Sequence, residues 1–184
     1  MAMQITEWDR ADKYKAQSDV VKQALATPDH SLDALLRLMR ITGQSSVYLS
    51  GSRLDNDYCF GSTDLGMLLS VLPEDALKAA EPGYHPDSTE VYVTFQGSLA
   101  MECLVDGSVE HRNVTRDDIL VLPPSQCHRV RLNAQQQAAS LIVKTNLMHD
   151  PGVIRCDDCT YYRDKTNCPL FQSWNAEVKS TTGG

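Results

Sequence analysis

Two histidines and a glutamate have the type and spacing to hold a metal ion. His85 lies five residues before Glu90, and His128 follows the Pro123-Pro124 turn in a separate stretch of chain. Glu90 opens the run Glu90-Val91-Tyr92-Val93-Thr94-Phe95, in which Glu90, Tyr92 and Thr94 share one face of a strand. His85 is on the loop entering that strand, and a loop-to-strand turn can aim its ring at the same point. His128 would arrive from a neighbouring strand. Two imidazoles and one carboxylate meeting there form a facial triad with open coordination positions, as in non-haem Fe(II) oxygenases. One divalent transition metal is expected, Fe(II) before Zn(II) or Ni(II). The competing reading is two ordinary histidines in a fold without metal.

Sulfur makes the second cluster. Cys156-Asp157-Asp158-Cys159 is a Cys-x-x-Cys knuckle, and Cys168-Pro169 follows it. A tetrahedral Zn or Fe site needs four such donors. Cys156, Cys159 and Cys168 supply three, and His149, Cys127 or Cys59 could supply the fourth. Free buried thiols, or a disulfide from Cys156 to Cys159 or Cys168, are the other readings. Cys103 alternates with Leu99, Met101 and Val105 and is expected in the core. Cys127 faces away from His128 by alternation and is expected to be structural. His30 and His111 are given no role.

The elements that must position these groups fall into three regions of a chain of 184 residues. Residues 1–44 read as helical. Apolar positions recur loosely from Lys13 to Ala26, Thr27-Pro28-Asp29 breaks the pattern, and Ser31 caps a helix from Leu32 to Ile41 closed by Gly43. This pair is expected to pack as a lid. Residues 45–147 switch to short strand-like runs at Val47–Leu49, Gly66–Leu72, Glu90–Phe95, Leu99–Val105, Ile119–Leu122, His128–Leu132 and Ser140–Lys144. Turn signals at Gly51-Ser52, Asp106-Gly107 and Pro123-Pro124 separate them. Many short strands without long intervening helices imply a mainly β fold, an antiparallel sandwich or barrel. Residues 148–184 form a Cys-containing tail, expected to end flexibly at Ser-Thr-Thr-Gly-Gly.

The apolar share of 42% suits a packed core, and the net charge of −7 argues against nucleic acid or an anionic membrane as partner. No stretch approaches the roughly 20 apolar residues of a membrane span, and the N-terminal residues lack a signal-peptide pattern. A cytoplasmic location is therefore expected, where cysteines stay reduced.

The stretches 83–97 and 117–128 resemble the two motifs of the cupin superfamily. His85, Glu90 and Gly97 match the first motif, and Pro123 and His128 match the second; Asp117 stands where a Gly is usual. The resemblance implies a cupin-type antiparallel β-barrel, or double-stranded β-helix, with a metal held by His85, Glu90 and His128. A further His is usual two residues before His85, and Gly83 holds that place, so three protein ligands are implied. Tyr84–Val130 is most similar to the 3-hydroxyanthranilate 3,4-dioxygenases, which open an aromatic ring with Fe(II) and O2. The substrate residues depart from that family. Glu81 stands where it has a carboxylate-binding Arg, Lys144 falls where it has a Glu, and Arg131 is one residue out of place and pointed away from His128. The metal triad is carried over and the substrate is not. Bacterial members carry C-terminal iron-binding cysteines in paired Cys-x-x-Cys motifs, whereas this chain has one pair.

Two functions are weighed: a non-haem iron dioxygenase acting on a small aromatic or organic acid, and a non-catalytic small-molecule-binding or sensor cupin. A sugar isomerase would need a basic pocket that the sequence does not place. A small-molecule ligand is implied either way, and apolar edge strands suggest a homodimer.

Overall fold

The computed structural model describes residues 19–20, 22–24, 26–29, 31–43, 46–51, 60–61, 65–72, 81–132, 138–146 and 152–182. Cys59, His30, His149 and the first part of the Lys13–Ala26 helix lie outside the described residues.

The fold is mainly β, as the short alternating runs imply. Eleven strands are described: β1 (Ser46–Gly51), β2 (Phe60–Gly61), β3 (Leu65–Leu72), β4 (Gly83–Tyr84), β5 (Glu90–Gln96), β6 (Ser98–Val105), β7 (Ser108–Thr115), β8 (Ile119–Leu122), β9 (His128–Leu132), β10 (Ala138–Thr145) and β11 (Ile154–Arg155). They form a six-stranded sheet in the order β2-β1-β3-β10-β5-β8 and a five-stranded sheet in the order β11-β4-β9-β6-β7. Every described pairing is antiparallel except the short parallel contact of β1 with β2.

One core lies between the sheets. Tyr92, Leu122, Ala138 and Ile142 of the first meet Leu99, Met101, Cys103 and Val114 of the second. Along β5 the burial alternates, with Glu90, Tyr92 and Thr94 buried. Cys103 is fully buried here, as its alternation predicts.

Helix α1 (Leu32–Ile41) begins at Ser31, whose side chain accepts from the Ala34 N–H at 3.2 Å, and ends before Gly43 at φ +69°. Its buried Leu36 and Met39 pack with Val20 against Val47, Leu69, Val71 and Ala139, on the face of the six-stranded sheet opposite the shared core. The described part of the expected helical pair packs on this outer face of the sheet.

The short strands β2, β4 and β11, the longer strand β7 and the ordered tail differ from the sequence reading. The sequence gives no sign of strand β7, because Glu110, His111, Arg112 and Asn113 carry no apolar alternation. It is an edge strand whose pairing with β6 is set by the hairpin turn Asp106-Gly107, at φ +48° and +76°. The tail is also ordered further than expected. Short 3-10 turns at Cys156–Asp158 and Lys165–Asn167 lead into helix α2 (Pro169–Thr182), with Pro169 at its first position, where a missing N–H costs nothing. This segment lies on the five-stranded sheet: Cys156, Cys168, Leu170 and Phe171 pack with Tyr84, Cys127, Leu104 and Val109.

Candidate functional site

Strand register delivers four of the site's side chains to one place. Glu90 opens β5, directly opposite Lys144 of β10. His128 opens β9 on the other sheet and pairs with Gly83 of β4, and His85 follows β4 by one residue. The three residues predicted as a triad therefore meet where the two sheets approach each other. His128 Nε2 lies 3.2 Å from Glu90 Oε2, and His85 Nε2 lies 3.8 Å from Glu90 Oε1. Glu90 is 3% exposed, and the two imidazoles are nearly covered.

The ring nitrogens have assigned roles. His128 Nδ1 is 3.0 Å from the Gln126 carbonyl, which can only accept, so Nδ1 carries the proton and Nε2 presents its lone pair to the site. Tyr92 Oη stands 3.2 Å from that Nε2 and completes its surroundings. Burial holds the His128 ring neutral by pushing its pKa down, against the opposing pull of Glu90. For Glu90, burial works to raise the pKa. The Lys144 ammonium, with smaller contributions from the His128 and His85 rings, outweighs it and holds the carboxyl below its usual range.

Lys144, noted in the sequence only as standing where the resembling family has a Glu and given no role there, is a further member of the site. Its ammonium donates to His85 Nε2 at 2.8 Å and to Glu90 Oε1 at 2.9 Å. It occupies the position a cation would take among these donors. Ser140 and Thr94, joined at 3.0 Å, sit further along the same two strands and keep that pairing buried. The available signal is alternation from Ser140 to Lys144, but alternation says nothing of which strand lies opposite.

The donor chemistry fits a divalent ion: two imidazole lone pairs and a carboxylate, the set that suits Fe, Zn or Ni. Lys144 is the obstacle. It must swing away from Glu90 and His85 towards solvent, to which its side chain is 18% exposed. Among the described residues, no three His, Cys, Asp or Glu side chains are already drawn together as a bound ion would draw them.

The other motif positions resolve individually. Arg131 points away from His128, as expected, and bonds Glu102 at 2.8 Å and Glu177 at 2.8 Å. Arg129 Nε bonds Glu102 Oε2 at 2.9 Å, and its Nη2 makes ion pairs with Glu102 and Glu177 at 2.7 and 2.9 Å. This buried network ties α2 to β6 and β9. His111 adds a contact of 3.6 Å to Glu102 from the surface. Glu81 faces the tail, its side chain accepting from the Cys156 N–H at 3.2 Å. It is not part of the triad's surroundings.

Gly83, which stands where cupins usually have a further His, has a structural reason. A Cβ there would lie 2.8 Å from Val153 Cγ2 and 3.0 Å from the Ile154 carbonyl oxygen. Docking of β11 and a fourth ligand at this position exclude each other.

The predicted cysteines share the lining of one cavity without being grouped as a bound ion would group them. Cys156, Cys159 and Cys168 line one small cavity together with Cys127, and all the described cysteines are free thiols. Burial, then the charges of Cys168, Cys156 and Cys159, push the Cys127 thiol up to about 12; burial and Glu81 push Cys156 to about 12.

No family model matches the chain, and no curated protein matches it. Solved structures do. One mutant of oxalate decarboxylase from Bacillus subtilis is similar over 66% of this chain and 29% of its own, at 15% identity and a TM-score of 0.45. A second variant of that protein, substituted elsewhere, is 19% identical over 47% of this chain and 22% of its own, TM-score 0.40. Vicilin from tomato, Solanum lycopersicum, is 12% identical over 50% of this chain and 24% of its own, TM-score 0.42. The chain spans about a quarter of the length of these chains. The structure itself defines a class: a mainly β, two-sheet protein with a His2Glu cluster between its sheets.

Proposed function

We propose that this chain is a metal-binding cupin in which His85, Glu90 and His128 hold one divalent transition metal, Fe(II) in preference to Zn(II) or Ni(II). The reaction assigned to it is non-haem iron dioxygenation of a small aromatic or organic acid. One observation carries the reading: both imidazoles turn an Nε2 lone pair towards the nearly buried Glu90 carboxylate. Bound Fe(II) would supply O2 activation. The protein's own residues do the rest. Gln126 fixes the His128 ring, Tyr92 borders it, and Lys144, once displaced from Glu90, offers a cation to an acidic substrate. This charge is opposite to that of the Glu which the 3-hydroxyanthranilate dioxygenases have at the corresponding place, so the substrate need not be theirs.

A non-catalytic binding or sensor module is the second reading, and Lys144 favours it, because the ammonium already satisfies His85 and Glu90 without a metal. A cytoplasmic setting agrees with the free thiols. A homodimer is supported by edge strand β8, whose Ile119 and Val121 are 66% and 52% exposed.

Metal analysis of anaerobically purified chain, followed by O2 uptake with a panel of catechols and aminophenols, tests both readings. Stoichiometric Fe(II), lost in His128→Ala, together with substrate-dependent O2 uptake supports the dioxygenase. Metal without turnover leaves the binding module. Undiminished metal in His128→Ala after chelation and reloading excludes the triad.

A further inference from the structure

Four of the six cysteines in the chain line one small cavity outside the His2Glu cluster, and they come from two distant stretches; they are not drawn together as a bound ion would draw them, so an ion would have to gather them. Cys127 precedes β9, on the far side of the chain from His128. Cys156, Cys159 and Cys168 belong to the C-terminal segment. Cys103, by contrast, sits among aliphatic side chains in the core between the sheets. We propose that Cys127, Cys156, Cys159 and Cys168 form a tetrathiolate site for one zinc ion, which fastens the C-terminal segment to the five-stranded sheet.

The local backbone is shaped for it. Cys156 and Cys159 flank a 3-10 turn in which the Cys159 N–H approaches the Cys156 carbonyl at 3.4 Å, so both thiols lie on one side of a knuckle. Cys168 closes the second such turn, its N–H donating to the Lys165 carbonyl at 3.0 Å. Pairing of β11 with β4 sets Cys156 beside Pro82 and Gly83, where the absence of a side chain lets the strand approach. The backbone of Cys127 is held from the other side, its carbonyl accepting from the Leu104 N–H at 2.9 Å.

The cavity that they line together with eight other residues measures about 10 Å³, room for one water-sized sphere. An organic ligand does not fit; a single ion does. Closed sites of four soft sulfur donors are the structural zinc pattern, with bonds of about 2.3 Å. Four thiolates around Zn(II) carry a net charge of about −2, and the cavity wall supplies two cations, Arg155 and Lys165. Glu81, near Cys156, works against this, while its carbonyl accepts from Arg155 and so keeps that guanidinium in place. Burial of all four as neutral thiols would also be stable, since they join Leu170 and Phe171 in one apolar cluster. That reading gives no reason for two tight turns to bring three cysteines to the cavity that Cys127 lines.

The test uses the full chain, reduced, stripped with a chelator and titrated with Co(II) as a spectroscopic stand-in for Zn(II). One equivalent is expected to bind with sulfur-to-cobalt charge transfer and the intense visible bands of a tetrahedral ion, displaced by Zn(II). His128→Ala and Cys103→Ser are expected to keep that spectrum, so its loss is separable from failure of the His2Glu site. Cys127→Ser is expected to lose it. Co(II) binding to His128→Ala without charge transfer, or an unchanged four-sulfur spectrum in Cys127→Ser, overturns the proposal. Should Cys127→Ser not fold, X-ray absorption of the zinc-loaded wild-type chain decides. Four sulfurs near 2.3 Å uphold the site. Three or fewer, or a disulfide among these residues that blocks metal uptake, refute it.

Discussion

Replacing Lys144 by Met should tighten metal binding at the His2Glu cluster, which makes it a sharp probe of that reading. In the structure the ammonium makes two charge-assisted contacts, 2.8 Å to His85 Nε2 and 2.9 Å to Glu90 Oε1. A bound ion needs both atoms, so metal and ammonium compete. A hydrogen bond to a charged group contributes about 1.5–3 kcal/mol net. Two would give about 3–6 kcal/mol if independent, but both rest on one ammonium, so roughly one such contribution is counted. About 1.5–3 kcal/mol remains, equivalent to about a 10- to 150-fold lower Kd in Lys144→Met. Met keeps most of the length of the side chain, so the local packing is little disturbed. Competition titration against a chromophoric chelator, under anaerobic conditions with Fe(II) and in air with Zn(II), measures the change. Unchanged affinity would show that the ammonium is not in the metal's place. Weaker binding would show that Lys144 is a donor or a positioning group, and the argument from competition would be wrong.

Three further outcomes are expected. Glu102→Gln removes the buried one of the two carboxylates that pair with Arg129 and Arg131, Glu102 being 1% exposed, and leaves them Glu177; a cost of up to about 3–5 kcal/mol should lower Tm by up to about 6–20 °C in thermal circular dichroism, whereas Glu110→Gln at the exposed Arg112 pair should cost under about 1 kcal/mol. Gly83→Ala forces a Cβ into Val153 and the Ile154 carbonyl, so urea unfolding should show a loss of about 1–3 kcal/mol, and a wild-type midpoint would refute the packing described. Asp118 accepts from the Thr115 hydroxyl and N–H, which hold its carboxyl below the usual range. Its contribution is present above pH 3.8, the ordinary value, and is lost as pH falls through the lower folded value, so Asp118→Asn should flatten that part of the acid unfolding curve; an identical curve would count against it.

Much of this protein is local and therefore legible along the chain. Alternation in Glu90-Val91-Tyr92-Val93-Thr94 requires Glu90, Tyr92 and Thr94 to share a face, whatever they face. The Ser31 cap and the Gly43 stop act within one helical turn. The knuckle spacing of Cys156 and Cys159 likewise lies within a single turn. Long-range pairing is what escapes the sequence. Lys144 lies opposite Glu90 because β10 takes one register against β5, and a slip of one residue would have turned its ammonium to the other face. The edge strand β7 has no apolar alternation, so its existence follows from its hairpin turn and its partner, not from its own side chains. Arg129 and Glu102 become a buried pair only when β9 meets β6. Alternation gives Cys127 a structural role, and its neighbourhood with Cys156, Cys159 and Cys168 exists only because the tail folds back through β11 and α2. Composition and spacing therefore determined which groups could act and how each presents itself on its own element. Tertiary structure decided which of them meet, because the contacts that join two strands or a tail to a sheet depend on register and docking, and these are energies shared between segments that no single segment encodes.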